Sequence, residues 1–159
     1  MTKVQTMQDT ASPLGEIELV VFCSGGQSFS LDIRHVREIR GQSAVTPLPH
    51  SPEEVLGVMN LRGAVIPVFD LSSCFGLGPT EQDARNVIMI AMNDTRTIGL
   101  LVQSVSEIVS IPHASIQDAP AMLGGPAQSH ISGLIQLAEG MSRVIDLPAL
   151  IQRRLPVPA

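Results

Sequence analysis

The strongest constraint on this chain is that it contains one pattern twice. Phe29, Leu31, Val36, Glu38 and Ile39 lie over Ile98, Leu100, Val105, Glu107 and Ile108 at a constant offset of 69 positions. The run before them, Glu18 to Phe22, lies over Val87 to Ala91 at the same offset. After a longer second connection the offset becomes 76, so that Gly57 matches Gly133, Leu61 matches Leu137, Asp70 matches Asp146 and Leu71 matches Leu147. In the first copy Phe29, Leu31 and Ile33 alternate with Ser30, Asp32 and Arg34, the period of a half-buried strand. The phase then breaks, after Ile33 and again after Val102, which predicts a bulge or sharp bend in each copy. A unit this long is no solenoid repeat. It suits a small all-β module of four or five strands. Two modules side by side predict two small closed or nearly closed barrels, each too small for an ample core of its own and therefore packed on the other.

Residues 55–71 are the best-preserved part of the pattern. Two apolar runs flank the knuckle Asn60 to Gly63, which predicts a β-hairpin with Arg62 near its tip and Gly63 in the turn. Pro67 lacks an N–H, so the second strand is expected to be an edge or to carry a bulge there. Asp70 and Asp146 are expected to cap helical turns, one to about Phe75 and one from Leu147 to about Arg154.

Residues 1–15 read as a flexible tail and residues 155–159 as a second, Pro-broken one. Between them residues 16–154 form one domain, with a first lobe at about 17–83, a second at about 85–150, and terminal elements open to exchange between them. The turn Ser24 to Gln27 joins the first two strands, the Pro-rich stretch from Val45 is a connection with a helical turn at Pro52 to Leu56, and Gly76 to Arg85 is a linker. A second connection runs from Pro112 to Pro126, with Asp118 to Leu123 expected to be helical.

Composition removes several function classes. A net charge of −5, no Trp or Tyr and four Phe argue against nucleic acid as a partner, which would require a basic surface and stacking platforms. No apolar run reaches membrane-spanning length, and the first residues lack the basic and apolar regions of a secretion signal, so a cytoplasmic location without membrane insertion is expected. Cys23 and Cys74 form no CxxC pattern and read as small buried hydrophobes.

The four His are scattered with no metal-ligand spacing, so no metal and no cofactor is expected. No nucleophile elbow or phosphate loop occurs. Asp70 and Asp146 are symmetry-related carboxylates, as in a two-lobed aspartic protease. However, Leu71-Ser72 and Leu147-Pro148 follow them where that site needs a small Gly-bearing loop, so capping is the better reading. Together these absences argue for a protein without catalytic residues. Arg62 reads first, from its spacing alone, as a solvated turn arginine and second as a binding residue, because a planar, multi-donor side chain on a rigid turn suits partner recognition. Glu38, just past the bend, is its expected neighbour. Val36, Gly57 and Val58 read first as core or turn residues and second as part of a groove.

The run Gly57 to Leu71, with Phe75-Gly76-Leu77, Val36 to Ile39 and Val144 to Leu147, resembles the signature of the CheW family of bacterial chemotaxis coupling proteins. The resemblance spans about Ile17 to Ile151. It implies two SH3-like five-stranded β-barrel lobes with short connecting helices and a C-terminal helix, and no catalysis. It also implies an adaptor that joins the cytoplasmic tips of chemoreceptors to the C-terminal regulatory domain of a CheA-type histidine kinase, recruited to receptor arrays. Arg62, Glu38, Val36, Gly57 and Val58 are then the expected partner-binding residues, in a groove that takes a helical tip. Two alternatives stand beside this reading: the same fold in another chemosensory pathway such as pilus motility, and a double-barrel hydrolase or ligand-binding protein.

Overall fold

The computed structural model describes residues 15–41, 43–94, 96–118 and 130–154. The expected tails, apart from Gly15, and nearly all of the helix expected at Asp118 to Leu123 lie outside them. Among the described residues, ten strands form two five-stranded sheets. In chain order they are β1 (Glu16–Ser24), β2 (Gln27–Asp32), β3 (Val36–Arg40), β4 (Val55–Leu61), β5 (Ala64–Asp70), β6 (Val87–Asn93), β7 (Arg96–Val102), β8 (Ser104–Pro112), β9 (Ile131–Leu137) and β10 (Gly140–Ile145). Helix α1 (Leu71–Cys74) follows β5, and helix α2 (Leu147–Arg154) follows β10. The phase break after Ile33 is a short 3-10 turn, Ile33–His35, in which the Asp32 carboxylate accepts the Arg34 N–H. The helical turn expected at Pro52 to Leu56 is shortened to a single hydrogen-bonded turn before β4. Val55 N–H bonds Pro52 O at 3.0 Å and the strand begins at once.

The first sheet has the order β8-β1-β2-β10-β9 and the second β3-β6-β7-β5-β4. Each therefore takes its first hairpin from one copy of the repeat and its other three strands from the other copy. Segments 17–83 and 85–150 both contribute to both sheets. The copies meet in one antiparallel and one parallel pairing per sheet, the parallel ones being β2–β10 and β5–β7.

This interlacing places apolar residues on both faces of the hairpin strands. Along β6, Ile88 and Ile90 pack with Met59, Ile66 and Val68 inside the second sheet, while Met89 and Ala91 face a core shared by both sheets. A strand covered on both faces needs an unbroken apolar run, and Val87 to Met92 is one. The first sheet encloses a smaller cluster, Leu19, Ile135 and Val144. All four Phe lie in the shared core, where Phe29 and Phe75 rings sit 4.9 Å apart.

Both sheets curl until their outer strands approach. The segment after β3 reaches β4 on the far side of the same sheet, where Thr46 and Val58 exchange backbone hydrogen bonds of 2.8 and 2.9 Å. Gln117 and Leu134 do the same in the first sheet, at 2.8 and 2.7 Å. These bridges cover edges that would otherwise invite aggregation. They also explain Gly57 and Gly133. A Cβ on Gly57 would lie 2.0 Å from Thr46 O, and one on Gly133 would lie 2.7 Å from Gln117 O.

Pro67 does not mark an edge. Strand β5 lies between β7 and β4, and the bulge in this hairpin is at Leu56 on β4. Pairing alternates from Leu61↔Ala64, so the Pro67 nitrogen faces away from β4. On its other side the parallel ladder starts one residue later, at Val68↔Gly99. The missing donor has no acceptor to disappoint.

Candidate functional site

The β4–β5 hairpin turns through Arg62 (φ 51°) and Gly63 (φ 89°). A two-residue turn with positive φ at both positions matches the twist of the flanking strands, but it favours Asn or Gly first. An arginine there costs about 1 kcal/mol in backbone strain. The Asn60 side chain accepts the Gly63 N–H at 3.0 Å and holds the turn.

The Arg62 guanidinium bonds the Glu38 carboxylate at 2.5 Å. Glu38 sits on β3 and Arg62 beyond β4, the two outer strands of one sheet, so the curl of the sheet is what brings them together. Arg40 takes the other Glu38 oxygen at 3.2 Å. The hydrogen bond from Arg62 comes first among the causes that hold the Glu38 carboxyl below its ordinary range, with Arg40 adding to it. Arg37, next along β3, points its guanidinium at the Met92 sulfur. The chain is acidic overall, yet this rim is locally basic. Ile39 and Val65 are exposed, at 42% and 67% accessible, with Ile39 on the face of β3 opposite Glu38 and Arg40.

Of the expected binding residues, the structure thus brings Arg62 and Glu38 together. Val36 packs against the shared core. Gly57 is buried under Thr46, and Val58 is half-buried with its backbone paired to Thr46. Arg40 was missed. Its signal was its spacing, two residues from Glu38 on one face of a strand.

The two capping aspartates differ. Asp146 accepts the Ala149 N–H at 3.1 Å, an ordinary N-cap bond. Asp70 occupies the N-cap position, but its carboxylate makes no bond to the helix N–H groups. It accepts instead from Thr80 N–H at 2.8 Å, Thr80 Oγ1 at 2.5 Å and Ser72 Oγ at 3.0 Å, pinning the linker to the end of β5. Each carboxylate is engaged within its own copy, so the shared-proton arrangement of an aspartic protease does not form. Among the described residues no cluster of three or more His, Cys, Asp or Glu could hold a metal ion, and no helix is long and apolar enough to cross a membrane.

Two interlaced sheets with a pinned, charged turn on one rim define an all-β module. The CheW-like domain model matches residues 18–155. The chain is 40% identical over 136 residues to the probable chemotaxis protein CheW of Rhizobium etli, covering 86% of this chain and 88% of that one. It is 30% identical over 151 residues to the chemotaxis protein CheW of Klebsiella aerogenes, covering 95% and 91%. The crystal structure of the scaffolding protein CheW of Thermoanaerobacter tengcongensis superposes with a TM-score of 0.78 at 29% identity, over 90% of this chain and 92% of that one. The chain belongs to the CheW-like domain family.

Proposed function

We propose that this protein is a non-catalytic coupling scaffold of a chemotaxis pathway, which holds a chemoreceptor tip and the regulatory domain of a CheA-type kinase in fixed relative geometry. The observation that carries the reading is Arg62, kept in a costly backbone conformation and clamped by Glu38. A turn selected only for folding would carry Asn or Gly there. The pair itself adds little stability, because exposed ion pairs contribute roughly 0–1 kcal/mol. The clamp therefore serves to hold the guanidinium in one pose, with Arg40 on the other Glu38 oxygen. A basic rim fits a partner helix that presents carboxylates. The protein works in the cytoplasm and is recruited to receptor arrays by these contacts. Val36, Gly57 and Val58 support the rim from beneath.

Calorimetric titration into the regulatory domain of a CheA kinase from the same organism, and into a soluble receptor-tip fragment, tests this. Saturable one-to-one binding to each is expected. Arg62→Glu should weaken binding to at least one partner by about tenfold or more while the thermal midpoint stays within a degree or two. Normal binding by a folded Arg62→Glu protein would remove Arg62 from the interface.

A further inference from the structure

Both copies of the repeat carry a bulge at the same place. On β3, Val36 opposes Ala91 and Glu38 opposes Ile90, so Arg37 is the extra residue. On β8, Val105 opposes Phe22 and Glu107 opposes Val21, so Ser106 is the extra residue. The two positions are equivalent at the offset of 69. A bulge bends its strand and re-aims a side chain, often beside a site. The fold makes this bulge with a serine in one copy and an arginine in the other, so the arginine is not what the bulge requires.

The contacts of Arg37 point the same way. Arg34 ends on Asp32, Arg85 on Asp83, and Arg40 and Arg62 share Glu38. Arg37 has no carboxylate among the described residues, and its guanidinium donates to the Met92 sulfur at 3.2 Å. A thioether is a weak acceptor, whereas a guanidinium carries five N–H donors in a planar fork. The first copy has Cys23 and Ser106 at the places of Met92 and Arg37, and that smaller pair lines a cavity of about 440 Å³. In the second copy the larger pair is in contact, which seats the guanidinium while the side chain stays exposed.

We infer that Arg37 is a specificity-determining residue of the rim, which takes a carboxylate on the helical chemoreceptor tip separately from any that Arg62 meets. The inference rests on the coupling reading above and names a second contact within it. Arg37 directly precedes Glu38, which holds Arg62, so both arginines serve the same rim. One forked cation on a bulge and another on a strained turn read two acidic positions of the partner, and a helix that lacks either is discriminated against.

Titration of the full chain with a soluble receptor-tip fragment tests this, with each Asp and Glu of the fragment changed singly to its amide. Arg37→Ser matches the bulge of the first copy and should keep the wild-type thermal midpoint. It should bind the fragment roughly tenfold more weakly. Arg37→Gln, which keeps most of the stem over Met92, should lose as much. One amide change should weaken wild-type protein by a similar factor, weaken Arg62→Gln by that same factor, and leave Arg37→Ser unaffected. The inference is overturned if either folded Arg37 variant binds like wild type, if no single carboxylate couples to Arg37, or if the same carboxylate proves coupled to Arg62. In each of those cases wild-type binding still stands, and the coupling reading with it. Absence of wild-type binding removes that reading and this inference together.

Discussion

The β4–β5 and β9–β10 hairpins occupy equivalent places in the two sheets and are built to the same register. Each closes on a two-residue turn, Leu61↔Ala64 in one and Leu137↔Gly140 in the other. Each carries a bulge near its open end, and each has a glycine under the connecting segment that covers the sheet edge. The tips differ. Arg62 and Gly63 both have positive φ, whereas Ala138 and Glu139 do not. Features the fold needs are present in both copies. The strained, paired arginine is present in one, so it is the feature folding does not require.

This comparison can be broken first at the glycines. Gly57 (φ 147°) is both strained for any other residue and in backbone contact with Thr46, while Gly133 meets the Ile116 methyl and Gln117 O at ordinary φ. Gly57→Val should cost about 3 kcal/mol or more, from strain and the lost Thr46–Val58 bonds. Gly133→Ala should cost less, about 2 kcal/mol, because it adds no φ strain although the Ile116 methyl and the Gln117 carbonyl must both shift. Equal losses in urea titrations would show that the two closures are not distinguished as described.

The aspartates come next. Asp70→Ala removes the acceptor of the Thr80 N–H and hydroxyl, while Ser72 keeps Gly78 O, and should cost about 2–3 kcal/mol. Asp146→Ala removes one N-cap bond and should cost about 1 kcal/mol. A reversal of that order in thermal unfolding would contradict the pinning role of Asp70.

Arg62→Asn gives the sharpest reading of the tip. Asn suits the left-handed turn, so stability should rise by about 0.5 kcal/mol while partner binding falls. A stability loss would mean that the Glu38 pair outweighs the strain. The smallest effect is with pH. The folded Glu38 carboxyl lies below its ordinary range, so the pairing is fully present at neutral pH and is lost as pH falls through that lowered value. Arg62 side-chain NMR signals should therefore hold steady from neutral pH down and change only below the range in which an ordinary glutamate titrates.

Much of this was legible in the chain because strand periodicity and hairpin turns are local. The alternation around Phe29, the unbroken run at Val87 to Met92 and the knuckle at Arg62 each report on neighbouring residues. The exchange of hairpins between copies was not legible in detail, since equivalent strands of the two copies have the same apolar pattern and either could pair. Asp70 misled for a related reason. Its partner Thr80 reaches it only because the linker folds back, and nothing within the Asp-Leu-Ser-Ser run marks that. Pro67 was misjudged because the direction of one missing N–H depends on register rather than on residue type.

Cut at the middle of the chain, neither half carries a whole sheet. Each would hold a hairpin without its neighbours and three strands without theirs. This is the arrangement of a domain-swapped homodimer whose two protomers have been spliced into a single polypeptide. Such a splice keeps the mutual dependence of a dimer while removing its dependence on concentration. It also frees each copy to diverge: with both encoded separately, one tip can carry a strained arginine without imposing it on its twin.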